Sequence, residues 1–294
     1  MRNILIIVLI AVFASCNPAK KTEDEKKVAV TEKTTYKLEL VWASDTLLRT
    51  PESVFFDKNR SVLYISNINL NPWEKDGNGF ISKMDLSGNI IDLKWVEGLN
   101  APKGMGVAGN TLYVADIDEI VQIDLESGRI MDRISVSGNP DLNDITVGDD
   151  GTVYVSGSSS NKIYAFKDGK ISEFLTGGDD ERFNGLYWEK NRLLLITSGT
   201  GQFKAIDWAT KKVSIISENM GHGDAIAAVG DGSYLTSDWD GAVYHVSPEG
   251  STTKLLDTKA NNENAADFCY SVDNHLLFIP TFNANRVKAY KLIY

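Results

Sequence analysis

Residues 143–156 read NDITVGDDGTVYVS: a polar start, a short apolar strand, a turn of glycine and aspartate, and a second apolar strand. That second strand centres on Tyr154. The same element returns at Tyr64 (LYIS), Tyr113 (LYVA), Leu195 (LLIT), Leu235 (YLTS) and Phe278 (LFIP). With Tyr154, these anchors stand at successive intervals of 49, 41, 41, 40 and 43 residues. A self-similar period of roughly 40 to 45 residues, built of strands and Gly-bearing turns without a helical rhythm, specifies a β-propeller. Six repeats predict six blades of an all-β fold.

Each anchor is preceded, 10 to 12 positions earlier, by a polar residue at the head of its blade's first strand: Glu52, Lys103, Asn143, Asn184, Asp224 and Asp267. First strands line the central channel of a propeller, so equivalent positions converge although they lie up to 215 residues apart. Carboxylate and amide oxygens gathered there suit a hard cation. Asn and Asp also begin strands because their side chains satisfy turn amides. That alternative explains the acids and amides singly, but neither Glu52 nor the common register. Lys103 adds a cation to the ring, able to pair with Asp267 across the channel or to stand in for a metal's charge.

Upstream of the repeats, residues 1–15 (MRNILIIVLIAVFAS) carry one basic residue and an apolar run too short to span a bilayer, the pattern of a secretory signal. Cys16 follows the small residues Ala14 and Ser15, as in a bacterial lipobox, with Phe13 where such boxes usually have Leu. Lipidation of Cys16 would hold the protein on the cell envelope at its periplasmic or outer face, each buried CH₂ adding about 0.8 kcal/mol. Residues 16–35 mix Lys, Glu and Thr and read as a solvated tether. The propeller is then expected over 36–294. Its last repeat has room for three strands, and the alternating YKLELVWAS from Tyr36 supplies the fourth, closing the ring.

The formal net charge is −10, and no stripe of Lys and Arg with interleaved aromatics appears, which argues against nucleic acid as a partner. One cysteine, Cys269, remains in the propeller, so no disulfide forms within it, and its place in DFCYSV suits packing rather than chemistry. A monomer is expected. Blade 1 is assigned to about 50–92, and its long connection NINLNPWEKDGNG (67–79) is expected to cap the channel, with Asn69, Asn71 and Trp73 reaching its rim.

The stretches PESVFFD with Glu52, LNDITVGDDG with Asn143, FNGLYWEKNRLLLITS with Asn184 and GDAIAAVGDGSYLTSDWDG with Asp224 resemble, in order and blade position, the six-bladed SMP-30/gluconolactonase/luciferin-regenerating-enzyme group. The resemblance implies that Glu52, Asn184 and Asp224 hold one divalent cation and that Asn143 touches substrate or metal. It implies metal-assisted hydrolysis of a lactone or ester: the ion polarises the carbonyl, and Asp224 or a water at the ion delivers hydroxide. Oxygen ligands favour Ca²⁺, with Mg²⁺, Mn²⁺ or Zn²⁺ as alternatives. His222, in MGHGD, is a candidate proton shuttle, whereas His245 and His275 read as structural. Asp141 stands where sugar-lactonase members tend to have arginine, which points to a different substrate. A competing class is a non-enzymatic binding propeller: APKGMGVAGNTLYVAD resembles NHL repeats, and Trp73, Trp239 and the Asp-rich loops would then bind a protein or glycan.

Overall fold

Runs such as Val62–Asn67 (VLYISN) and Arg192–Thr197 (RLLLIT) are dense in large aliphatic side chains and bounded by turns, so they settle as strands buried along almost their whole length. The structure, a computed structural model, describes residues 35–294; the signal segment, Cys16 and the tether to residue 34 lie outside the described residues. Six four-stranded antiparallel sheets form, one per repeat, and among the described residues the only helical pieces are two three-residue 3₁₀ turns.

Blade 1 comprises Pro51–Asp57, Val62–Asn67, Gly79–Met84 and Ile90–Leu99. It runs farther than the expected residue 92, because three register shifts against Gly79–Met84 let the outer strand absorb extra residues. Blades 2 to 5 occupy Pro102–Ser135, Leu142–Thr176, Phe183–Ser217 and Gly223–Asp257 in simple sequential order. Blade 6 has the inner strand Cys269–Ser271, then Leu276–Pro280 and Val287–Ile293, and its outermost strand is Lys37–Ala43 from the other end of the chain.

That closure is held by more than a ladder. Trp42 lies 5.9 Å from Phe278, ring to ring, and its Nε1 donates to the Leu86 carbonyl in blade 1 at 3.0 Å. Tyr36 stacks on His245 of blade 5 at 3.8 Å and donates to Asp231 at 2.6 Å. The seam strand therefore grips both neighbouring blades.

The hydrophobic core is divided into slabs between blades. Tyr64 and Ile81 of blade 1 pack on Met105, Val114 and Val121 of blade 2, and Leu194 and Phe203 of blade 4 pack on Ile226 and Tyr234 of blade 5. Each such side chain contributes about 1.5–3 kcal/mol on burial. Glu52, Lys103, Asn143, Asn184 and Asp224, at the heads of the inner strands, are polar and buried as well.

Candidate functional site

Local backbone geometry aims the site residues. In blades 1 to 5 the inner strand slips register against its neighbour at one place: between Pro51 and Ser53, Pro102 and Met105, Leu142 and Ile145, Phe183 and Leu186, and Gly223 and Ile226. These are β-bulges, which re-aim side chains and often stand beside functional sites. Glu52, Lys103, Asn143, Asn184 and Asp224 all sit in them. In three blades the next backbone N–H is taken up by a serine hydroxyl of the second strand: Ser53 by Ser66, Asp144 by Ser156 and Ala225 by Ser237.

The five side chains line a single cavity of about 360 Å³ at one end of the channel. All are nearly inaccessible, between 1% and 9% exposed. Three oxygens in this set are buried without any hydrogen-bond partner: Glu52 Oε2, Asn184 Oδ1 and Asp224 Oδ2. The Asn184 amide is oriented by its Nδ2, which donates to the Gly223 carbonyl at 3.2 Å and so leaves Oδ1 as the free end. Asn143 donates through Nδ2 to Ser158 Oγ at 3.2 Å. Unpaired buried oxygens cost about 1–3 kcal/mol each, more when charged. Three of them on residues lining one cavity form an oxygen-only donor set that fits a divalent cation.

The electrostatics agree. Burial pushes the Glu52 carboxyl up to about 8, with Lys103 pulling it down and Asp267 pushing it further. Asp224 is held well above the ordinary carboxylate range by burial and then by the Glu52 and Asp267 charges. A cation would reverse both penalties.

Lys103 and Asp267 do not pair as expected. The Lys103 ammonium donates to the Pro72 carbonyl at 2.8 Å and the Ala101 carbonyl at 3.3 Å and lies 4.2 Å from the centre of the Trp73 ring. It thus pins the 67–79 loop over the cavity, and burial lowers its pKa. Asp267 accepts a hydrogen bond from Ser53 and lines a separate cavity with Asp144 and Cys269. The reason is a register slip of one: Phe278 pairs with Cys269, two residues after Asp267, whereas Tyr64, Tyr113, Tyr154 and Leu235 pair three residues after Glu52, Lys103, Asn143 and Asp224. In blade 4 the residue in that register is Leu194, paired three after Asn184, rather than Leu195. Ala266 is therefore the true counterpart in blade 6, and the ring holds five polar members.

Of the loop residues expected at the rim, Trp73 lines the cavity, joined by Pro72. Asn71 instead accepts from the Trp73 N–H at 3.0 Å and Asn69 donates to the Asn78 carbonyl at 3.1 Å, both bonds inside the loop. His222 stands on the rim, 64% exposed, with Nδ1 3.3 Å from Asp240. Its neighbour Asp238 is saturated by the Lys259 ammonium at 2.5 Å and by the His222 and Asp240 N–H groups. Four contributors escaped sequence reasoning: Arg182, Ser158 and Phe282 in the cavity and Asp144 beneath it. Arg182 stands two positions before Asn184, a spacing that offered a signal; Phe282 had none.

No protein-family model and no curated protein matches the chain by sequence. Solved structures do. A gluconolactonase from Xanthomonas campestris is 14% identical with a TM-score of 0.67, covering 84% of this chain and 87% of its own. Virginiamycin B lyase from Staphylococcus aureus is 13% identical with a TM-score of 0.65, covering 88% and 100%. An auxiliary nutrient binding protein from Bacteroides thetaiotaomicron is 10% identical with a TM-score of 0.67, covering 87% and 76%. At such identities the likeness is one of fold.

Proposed function

We infer that the protein is a metal-dependent hydrolase of a lactone or ester, related to the gluconolactonase group and acting outside the cytoplasm as a lipid-anchored monomer. The observation that carries this reading is the trio of partnerless buried oxygens on Glu52, Asn184 and Asp224. These residues would hold the cation, with Asn143 beside them, and Ca²⁺ suits them best. Bound there, the cation supplies Lewis-acid polarisation of the substrate carbonyl. Asp224 would take a proton from the attacking water through its other carboxylate oxygen, once a cation has brought its raised pKa down. Asn143 orients the carbonyl end of the substrate. Lys103 keeps the 67–79 loop closed and water out, and its charge favours developing negative charge. His222, open to solvent, carries the released proton away.

Metal analysis of purified protein, with assays on a lactone and ester panel, tests this. The expected result is about one bound divalent ion per chain, lost together with hydrolysis in Asp224→Ala. Full activity in that variant removes the proposed site. The binding-propeller reading draws support from Lys103, whose buried ammonium near Glu52 can offset that carboxylate without a metal. It predicts ligand binding that survives EDTA and no turnover on the panel.

A further inference from the structure

The cavity wall is divided by chemistry around the ring. Blades 5, 6 and 1 form a contiguous apolar arc of Trp239, Phe282, Ile68, Pro72 and Trp73, with the Trp239 and Phe282 rings edge to face at 5.2 Å. Phe282 holds a left-handed backbone, φ 43°, a conformation bulky residues adopt only where surroundings impose it. Blades 3 and 4 form the opposite arc, with Ser158, Ser198 and Arg182.

The hydroxyls of that second arc are already spent. Ser158 Oγ donates to the Phe183 carbonyl at 2.7 Å while accepting from Asn143, and Ser198 Oγ donates to the Arg182 carbonyl at 3.2 Å. A polyhydroxylated ligand would find few free partners on the walls. Arg182 differs: it is exposed, and among the described residues its guanidinium has neither a hydrogen bond nor an ion pair. Lys103, the other cation of the cavity, is committed to two carbonyls. A guanidinium presents a planar fork matched to a carboxylate.

We propose that the cavity takes lactones or esters that carry an aromatic ring and a separate free carboxylate, with the ring against Trp239 and Phe282 and that carboxylate on Arg182. This deepens the hydrolase reading and rests on it for the floor residues, but the walls make a claim of their own about ligand class. A free aromatic acid is a non-reacting probe of those walls. 3-Phenylpropanoate should quench tryptophan fluorescence and bind in calorimetry more tightly than gluconate or 3-phenylpropanamide. Arg182→Gln should weaken the acid about tenfold, leave the amide unchanged, and be partly restored in Arg182→Lys; one lost charge-assisted pair is of that size. Trp239→Ala should weaken acid and amide alike, with its melting temperature confirming that it is folded. Gluconate binding as tightly as the aromatic acid, or an Arg182→Gln variant with unchanged affinity, overturns the proposal. A protein that binds the acid but cleaves no lactone or ester, with or without a ring and a free carboxylate, keeps this inference and sinks the hydrolase reading; one that cleaves gluconolactone and ignores aromatic acids does the reverse.

Discussion

Glu52→Gln separates the cost of an uncompensated buried carboxylate from the benefit of a cation. Burial holds the Glu52 proton up to about pH 8, against an ordinary 4.5. Below about pH 4.5 the folded and unfolded chains both carry that proton; between there and about 8 only the folded chain does. Folding then takes up a proton, so the metal-free protein loses stability as pH rises through this window and levels off above it. Each unit is worth about 1.4 kcal/mol, which sets a ceiling of about 5 kcal/mol across the window. At about 2–4 °C per kcal/mol for a domain of this size, the wild-type melting temperature in EDTA falls by up to roughly 10–20 °C on this account. Glutamine has no proton to lose, and its neutrality also relieves Asp224, whose pKa the Glu52 charge raises. The metal-free variant should therefore show a flatter profile and exceed wild type at high pH. Calcium narrows that gap. Wild type should gain about 2.7 kcal/mol at a hundredfold excess over Kd, and more as pH rises toward 8, while the variant gains almost nothing. Scanning calorimetry in EDTA and in calcium reads all four cases. A variant with the wild-type pH slope and the wild-type calcium shift would refute the reasoning.

Deleting Lys37–Ala43 strips the outer strand from blade 6, exposes the edge of Val287–Ile293 and removes the packing of half-buried Trp42 on Phe278, so a markedly lower melting temperature and aggregation are expected. Gly185→Ala would bring a Cβ to 1.9 Å from the Asp224 carbonyl oxygen, displacing the inner strand of blade 5, so thermal stability and calcium affinity should fall together. Lys103→Met removes a charged hydrogen bond to Pro72 and a cation–π contact with Trp73, about 2–4 kcal/mol together, and should free the 67–79 loop, seen as faster quenching of Trp73 fluorescence by acrylamide.

The architecture was legible because a propeller writes itself as a period. The anchors at Tyr64, Tyr113, Tyr154, Leu195, Leu235 and Phe278 each occupy the second strand of their blade, Leu195 one residue past the register of the others, and the alternation in YKLELVWAS marked the strand that crosses the seam. Counting failed where strands are irregular. The inner strand of blade 6 has only three ladder residues, so a count back from Phe278 landed on Asp267, one pleat away from the axial position. A one-residue slip turns a side chain to the other side of a strand, and here it moved a carboxylate from the upper cavity to the lower one.

The bulge also explains why the polar floor of the cavity was readable in the sequence while its walls were not. A repeated backbone device imposes one direction on whatever residue occupies it, so the meeting of Glu52, Asn184 and Asp224 in one cavity follows from their position in the repeat. The walls come from connections that differ in length and conformation from blade to blade: Trp73 hangs from a 67–79 insertion, Trp239 follows a second strand directly, and Phe282 opens a 3₁₀ turn. No period links them, and their proximity exists only after the ring has closed. The blades thus fix the polar floor of the cavity, and the connections decide what else lines it. A fold that separates these tasks lets the walls change without disturbing the floor, so changing Arg182 or Trp239 should alter ligand preference while leaving calcium-induced stabilisation intact.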